Sequence, residues 1–181
     1  MFAWIQEIDW GILHWIHNTL QCGVLDFLMP KLTALGNGGA VWIAAAAGLT
    51  VSKKYRRYGI AMFAALVAGV LIGNVCLKNL VARPRPCWLE NVPLLIANPT
   101  DYSFPSGHTL SSVIGAAVLT KANRKFGFAA IPLAALIAFS RLYLYVHFPS
   151  DVLASVVLGT AIGITAVSVA KAVKKRKNTS A

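Results

Sequence analysis

Five long stretches of the chain carry no Asp, Glu, Lys or Arg, and these stretches constrain the fold more than any other feature. A helix of about 20 apolar residues crosses a bilayer. Four of the runs hold 19 to 21 residues, and the fifth, with 15, reaches the required length with its flanks. The runs are Leu32–Ser52, Tyr58–Leu77, Tyr102–Thr120, Phe126–Ser140 and Val152–Ala170.

The composition also favours a membrane protein. Hydrophobic residues make up 57% of the 181 residues and charged residues only 13%, which is more apolar than one soluble core usually covers. A shorter segment from Cys22 to about Leu35, carrying Asp26 and Lys31, is a sixth candidate span. The sequence therefore predicts an all-α membrane bundle of about six transmembrane helices, in one domain covering residues 1–181.

The first 20 residues differ from the spans because they mix Trp and Ile with acidic residues and His. That mixture is typical of an amphipathic helix lying in the membrane interface, where Trp rings accumulate. No basic leader precedes an apolar run, so a cleaved signal peptide is not expected.

The basic residues lie in three groups that follow alternate apolar runs. Residues 53–57, residues 121–125 and the tail from 171 to 181 together hold 12 of the 17 Lys and Arg. Two crossings separate successive groups, so all three fall on one face, which the positive-inside rule makes cytoplasmic. This clustering accounts for the net charge of +11 without nucleic acid, although the tail could also contact anionic lipid.

A second set of polar residues is predicted at the opposite face, where three separate segments meet. Three cations suit a tetrahedral oxyanion. A Ser-Gly helix start adds free backbone N–H groups for the same anion. The set points to a phosphate site and comprises Lys78, Arg85, Ser106, Gly107, His108, Arg141, His147 and Asp151.

Two histidines beside a phosphate indicate a division of labour. Asp151, four residues after His147, can orient that ring so that the other nitrogen attacks phosphorus, while His108 protonates the leaving group. Each residue alone has a structural explanation, because helix-end cations often reach only to the interface and single histidines are often structural. The combination of these residues favours a functional site.

The motifs that carry these residues resemble the three signatures of the type 2 phosphatidic acid phosphatase (PAP2) family. They are "KNLVARPRP" from Lys78, "PSGH" from Pro105 and "SRLYLYVHFPSD" from Ser140. In the doublet, Arg85 has the motif's spacing from Lys78 and Arg83 does not. The resemblance implies a metal-independent lipid phosphatase without cofactor, with a helical core.

By the same resemblance, His147 forms a phosphohistidine, Asp151 orients it and His108 is the acid. The phosphate ligands that the resemblance implies are Lys78, Arg85, Ser106, Gly107 and Arg141.

The short chain is similar to bacterial family members that act on undecaprenyl diphosphate or phosphatidylglycerophosphate. We expect undecaprenyl diphosphate, cleaved at the extracytoplasmic face of the cell membrane, with phosphatidylglycerophosphate or phosphatidic acid as the alternative. More distant hypotheses are a lipid-phosphate binder without activity and a vanadate-dependent haloperoxidase. Beyond the lipid and the bilayer, no protein partner or nucleic acid is expected. The loop from Cys87 to Tyr102 is predicted to lie over the site and to shape substrate choice.

Overall fold

A computed structural model describes residues 3–179, and within that range the prediction of an all-α fold is confirmed. The side chains of Lys174, Lys175 and residues 177–179 are not described, and residues 1, 2, 180 and 181 lie outside the range, so part of the tail prediction falls outside the described residues. The helices are α1 (Ala3–Leu20), α2 (Gly23–Leu35), α3 (Ala40–Val51), α4 (Arg56–Gly69), α5 (Lys78–Val81), α6 (Pro86–Leu89), α7 (Gly107–Ala122), α8 (Arg124–Tyr143) and α9 (Pro149–Thr179).

Helix α7 forms the centre of the bundle, with α8, α9, α4 and α3 packed around it. Its buried residues Leu110 and Ile114 meet Trp42 of α3 and Met62 of α4 in one apolar core. The indole nitrogen of Trp42 donates to the hydroxyl of Ser112 at 2.9 Å, which satisfies a polar group that would otherwise be buried without a partner.

Long apolar helices consistent with membrane crossing are present among the described residues. Three pass by length and composition, namely Arg56–Leu89, Arg124–Tyr143 and Pro149–Val173. A bent pair, Gly23–Leu35 with Asn37–Val51, makes a fourth if it is counted as one span. Large apolar side chains point outward from these helices, such as Phe128 at 82% and Val157 at 72% exposure.

The apolar run Leu32–Ser52 is not one straight helix, contrary to its interpretation as a continuous span. Helix α2 ends at Leu35 and α3 begins at Ala40, with a bend of 44° between the two halves. Gly38 and Gly39 have φ values of 58° and 72°, a backbone region that glycine enters without steric cost. With 12 residues, α3 is about 18 Å long and cannot cross a hydrocarbon core of about 30 Å alone.

Two other predicted runs have different boundaries in the structure. Helix α7 starts at Gly107 instead of Tyr102, because the five preceding residues belong to a loop. Helix α4 continues through a π-helical turn, Val70–Leu77, directly into α5. Such turns insert an extra residue into the helical repeat and often occur at functional sites.

The basic loops predicted to share one face do lie together. The Tyr55 and Phe126 rings meet at 5.3 Å, and the Asn123 amide donates to the Tyr55 hydroxyl at 3.2 Å, which joins the α3–α4 and α7–α8 connections. The C-terminal part of α9 reaches the same end, since Arg57 and Val173 line one groove.

Helix α1 packs against the end of the bundle that lies opposite the basic loops. Its Trp10 ring contacts Phe148 edge-on at 5.0 Å, and Leu13 is fully buried. Trp4 and Trp15 remain exposed, at 61% and 57%. The carboxylate of Asp9, in contrast, is only 2% exposed and faces the protein.

Candidate active site

A cavity of about 820 Å³ lies among the ends of the helices and contains most of the predicted site. Of the eight residues predicted from the sequence, six line it: Lys78, Arg85, Gly107, His108, Arg141 and His147. Ser106 and Asp151 are fully buried immediately behind the wall. The structure therefore brings together three segments that lie far apart in the sequence.

Helix termini position most of these side chains. Arg85 and Ser106 are the residues before α6 and α7, and Asp151 lies in the first turn of α9. Arg141 lies in the last turn of α8. Because helix N-termini present free N–H groups, the starts of α7 and α9 contribute a positive potential next to the cavity.

The ring of His147 is oriented by neighbours on both of its nitrogens. Nη1 of Arg85 lies 3.1 Å from Nε2. A guanidinium can only donate, so Nε2 carries the lone pair and Nδ1 the proton. Nδ1 faces Oδ2 of Asp151 at 3.7 Å and Oγ of Ser103 at 3.4 Å. The nitrogen with the lone pair is therefore the one beside the cationic group.

Burial keeps His147 neutral. The residue is 1% exposed, and this burial, aided by the cations Arg85 and Arg141 and only partly offset by Asp151, lowers its pKa to about 3. A neutral imidazole near pH 7 is the form that can act as a nucleophile.

Asp151 is held in place by three donors. Its Oδ2 accepts from the Ser103 hydroxyl at 2.5 Å and from the backbone N–H of Phe148 at 2.9 Å. Its Oδ1 accepts from Nη1 of Arg83 at 2.6 Å. These bonds fix the carboxylate beside His147.

Lys78 and Arg85 share an acidic partner that sequence reasoning did not identify. Asp101 accepts from Nζ of Lys78 and, at 2.7 Å, from Nη2 of Arg85. Burial alone would raise the pKa of Asp101, but the Lys78 hydrogen bond and the Arg85 charge outweigh it and lower the pKa to about 2. A phosphate at these cations would compete with this carboxylate.

Arg141 has no carboxylate partner among residues 3–179. It is 4% exposed, its Nη1 donates to the Thr33 hydroxyl at 2.5 Å, and its Nε has no hydrogen-bond partner in the described part of the chain. A buried guanidinium without a counterion is costly. This residue is therefore suited to an anionic ligand.

His108 is oriented from the break between α2 and α3. Its Nε2 lies 2.9 Å from Oδ1 of Asn37. A Cβ on Gly36 would lie 2.7 Å from Cδ2 of His108, so only glycine leaves the ring its place there. The uncharged "GNGG" sequence at the break, rich in turn formers, was the available signal for this contact.

Ser106 and Gly107 start α7, as predicted, but their side-chain surroundings are more specific than a free anion site. The Ser106 hydroxyl accepts from Thr109 at 3.0 Å. A Cβ on Gly107 would lie 3.0 Å from the side-chain oxygen of Asn74, which the π-helical turn presents to the cavity. Gly107 therefore accommodates Asn74 as well as any anion.

Of the segment from Cys87 to Tyr102, the first three residues belong to α6, and Ile96 to Asp101 line the cavity wall. Glu90 fastens the start of this loop, accepting from the Tyr145 hydroxyl at 2.6 Å and lying 3.0 Å from Nε2 of His14. The Tyr145 hydrogen bond is the main reason why the pKa of Glu90 is lowered.

The geometry described above can perform phosphoryl transfer. It places an uncharged histidine with its lone pair beside buried cations, a carboxylate behind that histidine and a second histidine in the same cavity. Such a reaction needs a nucleophile, an orienting group, oxyanion ligands and an acid, and side chains of these four chemical types are present in the cavity or its wall.

Comparison with known proteins agrees with this chemistry. Residues 56–175 match the PAP2 superfamily. The chain is 36% identical over 154 residues to the undecaprenyl-diphosphatase of Sulfolobus acidocaldarius, covering 84% of this chain and 74% of that protein. It is also 36% identical over 160 residues to undecaprenyl-diphosphatase BcrC of Bacillus subtilis, covering 84% and 76%.

A solved structure shares the fold over nearly the whole chain. The transmembrane PAP2-type phosphatidylglycerolphosphate phosphatase of Bacillus subtilis superposes with a TM-score of 0.76 at 25% identity. The match covers 97% of this chain and 88% of that one.

Proposed function

The chain belongs to the PAP2 superfamily and is a membrane phosphatase of that family, and on this premise we propose that it hydrolyses undecaprenyl diphosphate to undecaprenyl phosphate and inorganic phosphate. The match to two relatives named undecaprenyl-diphosphatases supports this substrate.

Arg141 is the observation that carries the proposal. A guanidinium that is 4% exposed and has no acidic partner in residues 3–179 lines the same cavity as His147. Lys78 and Arg85 line that cavity as well. A terminal phosphate group brings the negative charge that Arg141 lacks and that Asp101 alone supplies to Lys78 and Arg85.

The reaction follows from the two histidines. The Nε2 lone pair of His147 attacks the terminal phosphorus, the bond from phosphorus to the bridging oxygen breaks, and His108 gives its proton to that oxygen. Water then attacks the phosphohistidine. The P–N bond returns its electrons to His147, and His108 takes the proton of the water. Asp151 stabilises the ring throughout, and the cations hold the phosphoryl oxygens.

The lipid tail would lie between α3 and α4. Beyond the polar residues, the cavity wall consists of apolar side chains from these helices, including Ile43, Phe63, Leu66 and Val67. A diphosphate headgroup could therefore enter sideways while its prenyl chain stays in the hydrocarbon region.

We infer a topology of five crossings built from six membrane helices. Helices α2 and α3 are two halves of the first crossing, and α4 with α5, α7, α8 and α9 provide the others. Contacts of α1 with Glu90 and Phe148 support this count, because α1 then lies on the face of the active site. The positive-inside rule makes the basic end and the C-terminus cytoplasmic and the site extracytoplasmic.

Phosphatidylglycerophosphate is the second candidate substrate. The superposition with a phosphatidylglycerolphosphate phosphatase over 97% of this chain favours it. Both lipids present a terminal phosphate on an apolar tail, so the same cavity could accept either.

Phosphate release from defined lipids tests the proposal. The purified protein in detergent would be assayed with undecaprenyl diphosphate, phosphatidylglycerophosphate and phosphatidic acid, in the presence and absence of a chelator. We expect the highest kcat/KM with undecaprenyl diphosphate, no effect of the chelator, and a loss of at least about 10³-fold for His147→Ala.

Faster turnover of phosphatidylglycerophosphate than of undecaprenyl diphosphate would overturn the substrate assignment but not the assignment as a lipid phosphatase. Phosphate release from all three lipids that is no faster with the wild-type protein than with His147→Ala would overturn the proposed function.

A further inference from the structure

Arg83, the arginine that the motif spacing sets aside, is buried behind the site. It is 5% exposed, and its guanidinium lies over the Phe148 ring at 3.9 Å. Nη1 donates to Oδ1 of Asp151 at 2.6 Å and to the Ser150 hydroxyl at 2.8 Å. Arg83 therefore contacts the carboxylate that faces the proposed nucleophile, on the side away from the ring.

The other half of the guanidinium is bound by α1. Nη2 donates to Oδ2 of Asp9 at 2.6 Å and to Oε1 of Gln6 at 2.8 Å. Oδ1 of Asp9 accepts from the backbone N–H of Ser150 in the first turn of α9 at 2.8 Å. The N-terminal helix is thus joined by buried polar bonds to the start of the helix that carries Asp151.

The resulting chain of groups runs from Asp9 through Arg83 and Asp151 to His147. Asp9 and Asp151 are 2% and 0% exposed, so water screens these charges weakly. One guanidinium between two carboxylates neutralises each of them only in part. The charge of Asp9 therefore decides how much of the Arg83 charge acts on Asp151.

A structural role alone would not require a buried arginine between two buried carboxylates. Buried ion pairs contribute little net stability compared with apolar residues of the same size, and α1 already packs through Leu13 and Ile16. The bidentate geometry of an arginine fork instead fixes two carboxylates relative to each other.

We propose that Arg83 and Asp9 are positioning residues of the phosphoryl-transfer site, with Arg83 fixing the orientation and charge of Asp151 and Asp9 setting how strongly it does so. This inference rests on the proposed function, because it assigns the two residues an effect on the reactivity of His147. It makes α1 part of the active site.

Other charged groups around His147 stay constant in the test. These are Arg85, which contacts its Nε2, Arg141 and Asp151 itself, while the hydroxyl of Ser103 is the neutral polar neighbour. Changes at Arg83 or Asp9 therefore alter the charge on only one side of the His147–Asp151 pair.

The pH dependence of kcat/KM from pH 2 to 9 provides the readout. Arg83→Gln removes a positive charge from Asp151, so His147 should bind a proton more readily and the acid limb should move to higher pH by about half a unit or more. Asp9→Asn leaves Arg83 less neutralised, so the acid limb should move to lower pH. A general loosening of the structure would not shift the limb in opposite directions.

Three further variants keep the test decisive. The double variant Asp9→Asn with Arg83→Gln replaces the ion pair by two amides, and it should show the upward shift even if Arg83→Gln alone fails to fold. Arg83→Lys should keep the wild-type position of the acid limb but lower kcat, since one ammonium cannot reproduce the fork. Glu7→Gln changes an exposed carboxylate on the same helix and should leave the profile unchanged.

Identical acid limbs in the wild-type protein, Asp9→Asn and the double variant would overturn the inference. That result is distinct from failure of the proposed function, in which the wild-type protein itself would release no more phosphate than His147→Ala.

Discussion

At the residue scale, we expect Asp101 to determine how firmly the site holds an anion. Its carboxylate is 56% exposed and pairs with Lys78 and Arg85, so a phosphate must displace it. Asp101→Asn should therefore strengthen product inhibition. We expect the inhibition constant for inorganic phosphate to fall about fivefold, the equivalent of about 1 kcal/mol for an exposed ion pair.

Inhibition by added phosphate, measured at fixed lipid concentration, checks this expectation. Glu90→Gln is the matched control, because that carboxylate lies in the same loop but contacts Tyr145 and His14 instead of the phosphate cations. Weaker inhibition of Asp101→Asn than of the wild-type protein would show that Asp101 supports the anion site.

The lowered pKa of His147 predicts where activity is lost in acid. As the proposed nucleophile, His147 must be neutral, and burial lowers its pKa to about 3. As the pH falls, kcat/KM should therefore stay level to about pH 5 and decline only as the pH approaches that pKa, because the ionisation of the free enzyme governs this parameter.

Rates from pH 2 to 9, with each sample returned to pH 7 to confirm that the protein has not denatured, test this prediction. An acid limb centred near 6.5, the ordinary histidine pKa, would contradict it.

The sequence identified the cavity residues that lie in dense motifs, and it missed their partners for a physical reason. Asp101, Thr33 and Asn37 each contact the site across 16 to 108 positions of the chain, and a single Asp, Thr or Asn carries no periodic pattern. Arg83 was set aside because spacing measures the register of one motif, whereas its contacts come from α1 and α9.

At the scale of single elements, the break between α2 and α3 positions His108. Gly36→Ala should place a methyl group 2.7 Å from Cδ2 of that ring and 3.0 Å from Ile137. The ring must then shift away from Asn37. We expect kcat to fall about 10- to 100-fold, since small displacements of catalytic groups are costly.

Turnover and thermal unfolding of Gly36→Ala would be compared with those of Gly48→Ala. Gly48 lies on the adjacent α3 with nothing within 4 Å of an added Cβ, so alanine there should preserve activity and stabilise the helix by about 0.5–1 kcal/mol. Wild-type turnover in Gly36→Ala would show that the contact does not position His108.

Hydropathy predicted the existence of the helices better than their ends. The run Leu32–Ser52 lacks charge throughout, so a test for apolar length cannot detect that Gly38 and Gly39 break it. Hydropathy also gives no signal for the π-helical turn between α4 and α5, because one extra residue changes the register of a helix without changing its composition.

At the scale of the whole molecule, the basic end and the cavity lie at opposite ends of the bundle. In a background with Cys22, Cys76 and Cys87 replaced by serine, Asn91→Cys should react with an impermeant maleimide on intact cells. Lys121→Cys should react only after permeabilisation. Both side chains are exposed, so accessibility to water is matched.

The reverse labelling pattern would place the site in the cytoplasm and overturn the proposed orientation. Labelling of both positions on intact cells would indicate damaged membranes, and an impermeant label on a known cytoplasmic protein in the same cells distinguishes that case.

The bond between Asp9 and Ser150 joins positions 141 residues apart, and this separation imposes an order in time. During synthesis Asp9 leaves the ribosome long before the last helix exists. The Asp9 carboxylate therefore lacks its Ser150 partner until α9 has been inserted. The contact between the two ends of the chain is therefore among the last to form. A nascent chain that stalls before residue 150 holds every earlier helix but no complete catalytic centre.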